Sequence, residues 1–214
     1  MHPLRVALSA LLAIVPTVVS AQVALTKRSY QELNSSKGLV ILHINWGRYW
    51  NCGGHENAQL QRLSFRRIDA SADVSHEKDW VLAPASTLLT RPHFDPYAVY
   101  LDPGEYALSG FRFKIANSVT DIQVAEPGPA DLIVEGKPMA GSFTVGAGEA
   151  VYIGHFGVDC NGEPTPWRYH LDGSKEFAGY VDGFHKHFGF MKNAMITFRL
   201  FKTESIGQPY ELPK

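Results

Sequence analysis

Apolar residues in this chain gather in short runs broken by turn residues, and few of the runs are long enough for helices. Gly38-Leu39-Val40-Ile41-Leu42-His43-Ile44 is continuously apolar and rich in β-branched residues, which predicts a buried strand. Ala150 to Phe156 and Met195 to Phe201 predict two more strands, and Trp80-Val81-Leu82 a short one. Leu63 to Ile68 partly alternates, as suits a strand with one wet face. Tyr97 to Leu101 and Tyr106 to Ile115 flank Asp102-Pro103-Gly104-Glu105; Pro at the second and Gly at the third position predict a type II turn and hence a hairpin. Val119 to Ala125, Asp131 to Val134 and Ser142 to Val145 read as further short strands, and Gly146-Ala147-Gly148-Glu149 as another turn. Strands at this spacing predict a mainly β chain, an antiparallel sandwich or barrel of about seven to nine strands.

One stretch keeps a helical period instead. Phe177, Tyr180, Val181, Phe184 and Phe188 fall on one helical face, with Ser174 as N-cap and Gly189 beyond the end, which predicts a helix over 175–187 that buries this face on the sheet. Residues 22–37 form a polar N-terminal arm in which Ser29-Tyr30-Gln31-Glu32 has capping-box spacing and suits a short helix or an ordered arm.

The first 21 residues read as a secretory signal peptide: Arg5, an apolar run from Val6 to Val19, and small residues at Val19-Ser20-Ala21. That run is too short to span a bilayer and no later segment is long and apolar enough, so no membrane span is expected and the product is placed in the periplasm or outside the cell. Residues 38–214 are then one β-sandwich domain. With 20 basic and 21 acidic residues the formal net charge is −1, which argues against a basic nucleic-acid-coating surface. Two cysteines in an exported chain predict one disulfide between Cys52 and Cys160, whose Asn- and Gly-rich flanks look like loops; the alternative is two buried thiols.

The segment Tyr100 to Leu108, with its Pro-Gly-Glu-Tyr turn, followed by Gly146-Ala147-Gly148-Glu149-Ala150-Val151-Tyr152-Ile153-Gly154, resembles a pattern in exported bacterial proteins of unassigned activity. Those proteins have a small immunoglobulin-like or prealbumin-like β-sandwich. The resemblance spans residues 97–201; it implies that fold, antiparallel with one helix in the C-terminal region, and an exported location. It brings no catalytic residues.

Familiar catalytic patterns are missing. There is no Gly-x-Ser-x-Gly elbow, P-loop or dinucleotide fingerprint, and His55-Glu56 and His76-Glu77 are followed by Gln59 and Trp80 where a zinc-protease helix needs His. His185 and His187 are the densest imidazole pair, but on a helix they point apart and suit a solvated helix end better than a metal site. His155 shares a strand face with Val151 and Ile153, as a core-edge histidine would. The segment from Trp46 to His55 reads as a loop and is the chemically richest. If Cys52 bonds Cys160, Trp46, Arg48, Tyr49 and Trp50 meet Trp167, Arg168 and Tyr169, an aromatic and guanidinium group suited to stacking on a glycan or peptide. The alternative is that these rings cap the open end of the sandwich. The function expected is therefore an exported, non-enzymatic binding or accessory module of the bacterial cell envelope, needing no cofactor and contacting an envelope protein or a cell-surface polysaccharide. A small secreted hydrolase or metal-binding protein built on scattered His and acidic residues is the second expectation.

Overall fold

A computed structural model describes residues 23–68, 79–86, 91–167, 171, 173–199 and 201; the expected leader, residues 1–21, lies outside them. Among the described residues the strands are β1 (Val23–Ala24), β2 (Gly38–Asn45), β3 (Arg48–Cys52), β4 (His55–Arg67), β5 (Trp80–Leu82), β6 (Phe94–Leu101), β7 (Gly104–Ala116), β8 (Ile122–Ala125), β9 (Ile133–Val134), β10 (Lys137–Pro138), β11 (Ser142–Val145), β12 (Ala150–Phe156) and β13 (Ile196–Phe198). The helices are α1 (Lys27–Leu33), α2 (Pro129–Leu132) and α3 (Gly173–His187), with a 3-10 turn at Gly189–Met191.

The first sheet has the order β1-β6-β2-β12-β13, and the second β11-β7-β4-β3 with β5 added beside β4 and β8 beside β7. The second sheet is antiparallel throughout. The first is mixed: β2 pairs antiparallel with β6, but β12 runs parallel to both β2 and β13, a departure from the antiparallel expectation. Parallel strands need a crossover, and α3 with its following turn lies between β12 and β13 in the chain.

Side-chain alternation sorts the core into two layers. Val40, Leu42 and Ile44 of β2 and Val151 and Ile153 of β12 join Leu60, Leu63 and Phe65 of β4, Leu108 and Phe113 of β7 and Phe143 of β11, so the two sheets share one apolar core. Leu39 and Ile41 of β2 and Tyr152 of β12 point the other way, into a second cluster with Leu25, Tyr30 and Leu33 from the N-terminal arm and Phe177, Tyr180, Val181, Phe184 and Phe188 from α3. This is why β2 and β12 read as continuous apolar runs: both their faces are covered.

Several expectations hold with shifted boundaries. The helix expected over 175–187 begins two residues earlier, and its apolar face rests half-buried, rather than buried, on the second cluster. α1 forms in the arm, but its capping box is Thr26 with Ser29, three residues before the pair expected: Ser29 N–H donates to Thr26 Oγ1 at 3.0 Å and Thr26 N–H to Ser29 Oγ at 2.8 Å. β1 pairs with β6, so the arm adds an edge strand to the first sheet. Part of the strand expected over 131–134 is instead the short helix α2, which opens on Pro129.

The hairpin expected at Asp102–Glu105 is not formed. β6 pairs with β1 and β2 in the first sheet and β7 with β4, β8 and β11 in the second, so the turn is an arch that carries the chain between sheets. Gly104 opens β7 and does not take the positive φ that a type II turn demands. Tyr106 holds the arch: its hydroxyl donates to the Asp102 carbonyl at 2.8 Å, a tyrosine corner, while its ring stacks on Phe143 at 5.5 Å. Tyr106→Phe should therefore lower stability by roughly 1 kcal/mol. Urea unfolding would show it as an earlier midpoint with an unchanged slope.

Candidate functional site

The segment from Trp46 to His55, expected to be a loop, is a β-hairpin. β3 and β4 pair from Arg48↔Gln59 to Cys52↔His55, and Gly53 and Gly54 close the turn with φ of +58° and +85°, the pair of positive values a type I′ turn requires. The apolar positions that mark the inner face of β4 are diluted by Asn57, Gln59 and Arg62, so its 13 residues read from sequence only at the Leu63 end. Asn51, also at positive φ (+54°), breaks the alternation of β3, so that Cys52 is fully buried instead of following Trp50 to the surface. Cys52 is bonded to Cys160, as expected. The partner segment is a small turn in which Asp159 and Thr165 exchange backbone hydrogen bonds at 2.8 and 3.2 Å. A Cβ on Gly53 would lie 2.0 Å from the Gly162 carbonyl oxygen, so glycine is needed there for close approach as well as for its φ.

His55 fastens the same corner. Its Nδ1 lies 2.6 Å from Asn117 Oδ1 and its Nε2 3.4 Å from Glu163 Oε2. The Asn117 contact first, with Glu163 and Asp121 adding, raises the pKa of this imidazole above its ordinary value against the opposing effect of burial.

The expected aromatic convergence is mostly dissolved by burial. Trp46 is fully buried, its Nε1–H donating to Tyr97 Oη at 2.8 Å and its carbonyl accepting from Gln59 Nε2 at 2.9 Å. Trp167 is also in the core, its ring 4.9 Å from Phe156 and 4.7 Å from Phe201. Both rings lie in the core that the two sheets share. Tyr49 is half-buried, with its hydroxyl accepting from Asn45 Nδ2 at 2.7 Å. Trp50 alone among these tryptophans faces solvent, 52% exposed, with the Arg48 guanidinium 5.5 Å above its ring. Arg168 and Tyr169 lie outside the described residues. His185 and His187 sit in the last turn of α3; His185 Nε2 bonds the Ala194 carbonyl at 3.0 Å and His187 meets Phe188 edge-on.

A second constellation was not foreseen. Gly154, at φ +117°, lies in a bulge where the register of β12 on β2 slips by one residue, from Tyr152↔Ile41 to His155↔His43. The slip turns His155 away from the face of Val151 and Ile153 and sets it beside Tyr152, correcting the face expected for it. His43 and His155 then lie with ring centroids 4.5 Å apart near the ends of two parallel strands. Tyr152 Oη hydrogen-bonds His155 Nδ1, and Tyr180 Oη from α3 lies 3.1 Å from His43 Nε2. Burial lowers the His43 pKa to about 4 despite the opposing charge of Asp95, and burial raises that of Tyr180, so both are neutral near pH 7. Among the described residues no three His, Cys, Asp or Glu side chains are grouped to hold a metal ion. From sequence, the signal for this cluster is a histidine at the sixth position of each of the two most apolar strands; the bulge that brings them together carries no comparable mark beyond Gly154.

A cavity of about 240 Å³ is lined by residues of the second cluster, Tyr30, Leu39, Tyr100 and Met191, together with Glu149 and Met195. It falls just below the range of about 300–1,000 Å³ of ordinary small-molecule sites.

Compared with known proteins, the chain matches no family model, no curated protein and no solved structure.

Two outcomes follow from this geometry. Trp167→Ala should lower stability by about 3 to 5 kcal/mol, because it empties a core volume between Phe156 and Phe201; calorimetry reads the loss directly. His43 makes stability depend on acid. The unfolded chain takes up this proton near pH 6.5 and the folded chain only near 4, so its contribution is complete above about pH 6.5 and is lost as pH falls from there to about 4, by at most roughly 3 kcal/mol. Urea midpoints between pH 7 and 4.5 should fall less steeply in His43→Gln than in the parent chain.

Proposed function

We propose that this chain is an exported binding module of the bacterial cell envelope, a β-sandwich of immunoglobulin-like kind that acts by contact and not by catalysis, and that its ligand is a surface polysaccharide. The fold part of this reading is supported by two sheets sharing one core and by the Tyr106 corner, a device of immunoglobulin-like domains. Export is supported by the Cys52–Cys160 bond, which persists in oxidising compartments, and no helix of the described residues is long and apolar enough to cross a membrane.

The observation that carries the binding role is Trp50. A half-exposed indole beneath a guanidinium, on a hairpin whose tip is tied by a disulfide, offers a rigid stacking surface that need not be ordered when a ligand arrives. Indole faces stack on sugar rings while guanidinium groups supply hydrogen bonds, and this pairing is the remnant of the larger aromatic group expected from sequence.

Trp50→Ala should reduce retention of the full chain on extracted cell-wall polysaccharide by at least tenfold while changing folding stability by less than about 0.5 kcal/mol. Equal retention of parent and variant would refute the reading. Zinc or copper held stoichiometrically by untagged protein would instead favour a metal-binding role, for which the His43–His155 pair is the specific support.

A further inference from the structure

The outer face of the second sheet carries a charge pattern that narrows the ligand. Register places Trp50, Asn57, Ala116 and Ile122 in one row across β3, β4, β7 and β8, and Arg48, Gln59, Lys114 and Val124 in the next. The rows of Ala58 with Ile115 and Leu60 with Phe113 point into the core, so these two rows point outward. A register irregularity then sets Arg62 opposite Arg112 on the same outer face.

Five cations thus share this face: Glu126 bridges Arg62 at 2.8 Å and Arg112 at 2.9 Å, and Asp79 pairs with Arg66 at 2.6 Å. Arg48 and Lys114 form no ion pair among the described residues, and Arg48 leans over Trp50. The whole chain has a formal charge of −1, so the excess positive charge here is a local segregation and not a general basicity.

We propose that this face binds an acidic, carboxylate-bearing polysaccharide, with a sugar ring stacked on Trp50 and the carboxylates of the chain met by Arg48 and Lys114. The proposal rests on the binding-module reading above and specifies its ligand class. The spacing of the cations favours a sparsely charged polymer. Arg48 and Lys114 stand two strand spacings apart, roughly 10 Å, with the uncharged Gln59 between them. Duplex DNA carries a phosphate on each strand for every ~3.4 Å of helix axis and calls for denser cations. A polymer in which acidic and neutral sugars alternate offers flat ring faces for the indole and well-separated charges for Arg48 and Lys114, and Arg and Lys both pair readily with carboxylate.

The test uses the full chain in affinity electrophoresis and titration calorimetry with hyaluronate, whose carboxylates fall on every second sugar, polygalacturonate, neutral dextran and a single-stranded oligodeoxynucleotide, at low and high salt. The expected result is binding to at least one of the two acidic polysaccharides at least tenfold tighter than to dextran, weakened by salt, and reduced at least tenfold in Lys114→Glu with the melting temperature unchanged. Arg48→Gln should act in the same direction. Dextran binding equal to that of the acidic polymers, with Lys114→Glu and salt both without effect, would overturn the acidic ligand while leaving the binding-module reading in place. Tighter binding of the oligonucleotide than of either polysaccharide would overturn the proposal in favour of nucleic acid. If no polysaccharide binds and extracted cell-wall material is not retained either, both readings fall together.

Discussion

The covering of β2 and β12 on both faces is the constraint around which the rest of the chain is arranged. Each strand sends alternate side chains into separate apolar layers, one shared with the second sheet and one shared with α1, α3 and the N-terminal arm. Neither layer closes alone. The second sheet supplies large rings such as Phe65, Phe113 and Phe143 to the first, and the helices supply half-buried Phe177, Tyr180 and Phe184 to the other. A strand pair with both faces buried must also satisfy every backbone group within its own sheet, and β6 on one side and β13 on the other complete those ladders.

Two local devices tie the second sheet to the first. At one end the chain passes between sheets at Asp102 to Glu105, where Tyr106 fixes the bend by bonding back to Asp102. At the other, the Cys52–Cys160 bond joins the tip of the β3–β4 hairpin to the segment that follows β12, and His55 adds contacts to Asn117 and Glu163. A cross-link over a separation of 108 residues restricts the unfolded chain strongly, an effect of about 4 to 5 kcal/mol in the chain-entropy model. On the side of the second sheet away from this core, Asn57, Gln59 and Ala116 are buried among their neighbours, Arg48 and Lys114 are half-buried, and Trp50, Ile122 and Val124 stand exposed.

Half-buried His43 and buried His155 show how function-like chemistry and structure can coincide. His43 is neutral near pH 7, His155 is hydrogen-bonded to Tyr152, and Tyr180 links His43 to α3. Their adjacency is made by one extra residue in β12, where Gly154 takes a backbone conformation that other residues avoid. Acid that protonates His43 therefore acts on the contact between α3 and the sheet.

The sequence by itself determined what depends on local pattern. The runs at Gly38–Ile44 and Ala150–Phe156 are strands because their continuous, β-branched apolar character leaves no other stable placement, and Phe177 to Phe188 form a helix because their spacing matches one face. The pairing of Cys52 with Cys160 was also legible, since two cysteines allow only one bond within the chain. Tertiary structure alone decided matters of partnership. A Pro-Gly turn between two strands says nothing about whether they join one sheet or two, and the arch at Tyr106 follows from which neighbours β6 and β7 find. Aromatic residues read alike whether they bind or fill: Trp46 and Trp167, both outside the strands, went to the core, while Trp50 went to the surface through the alternation of β3, which is fixed by its pairing with β4. The outer row of cations and the histidine pair belong to the same class, since cross-strand neighbours exist only once the register is set.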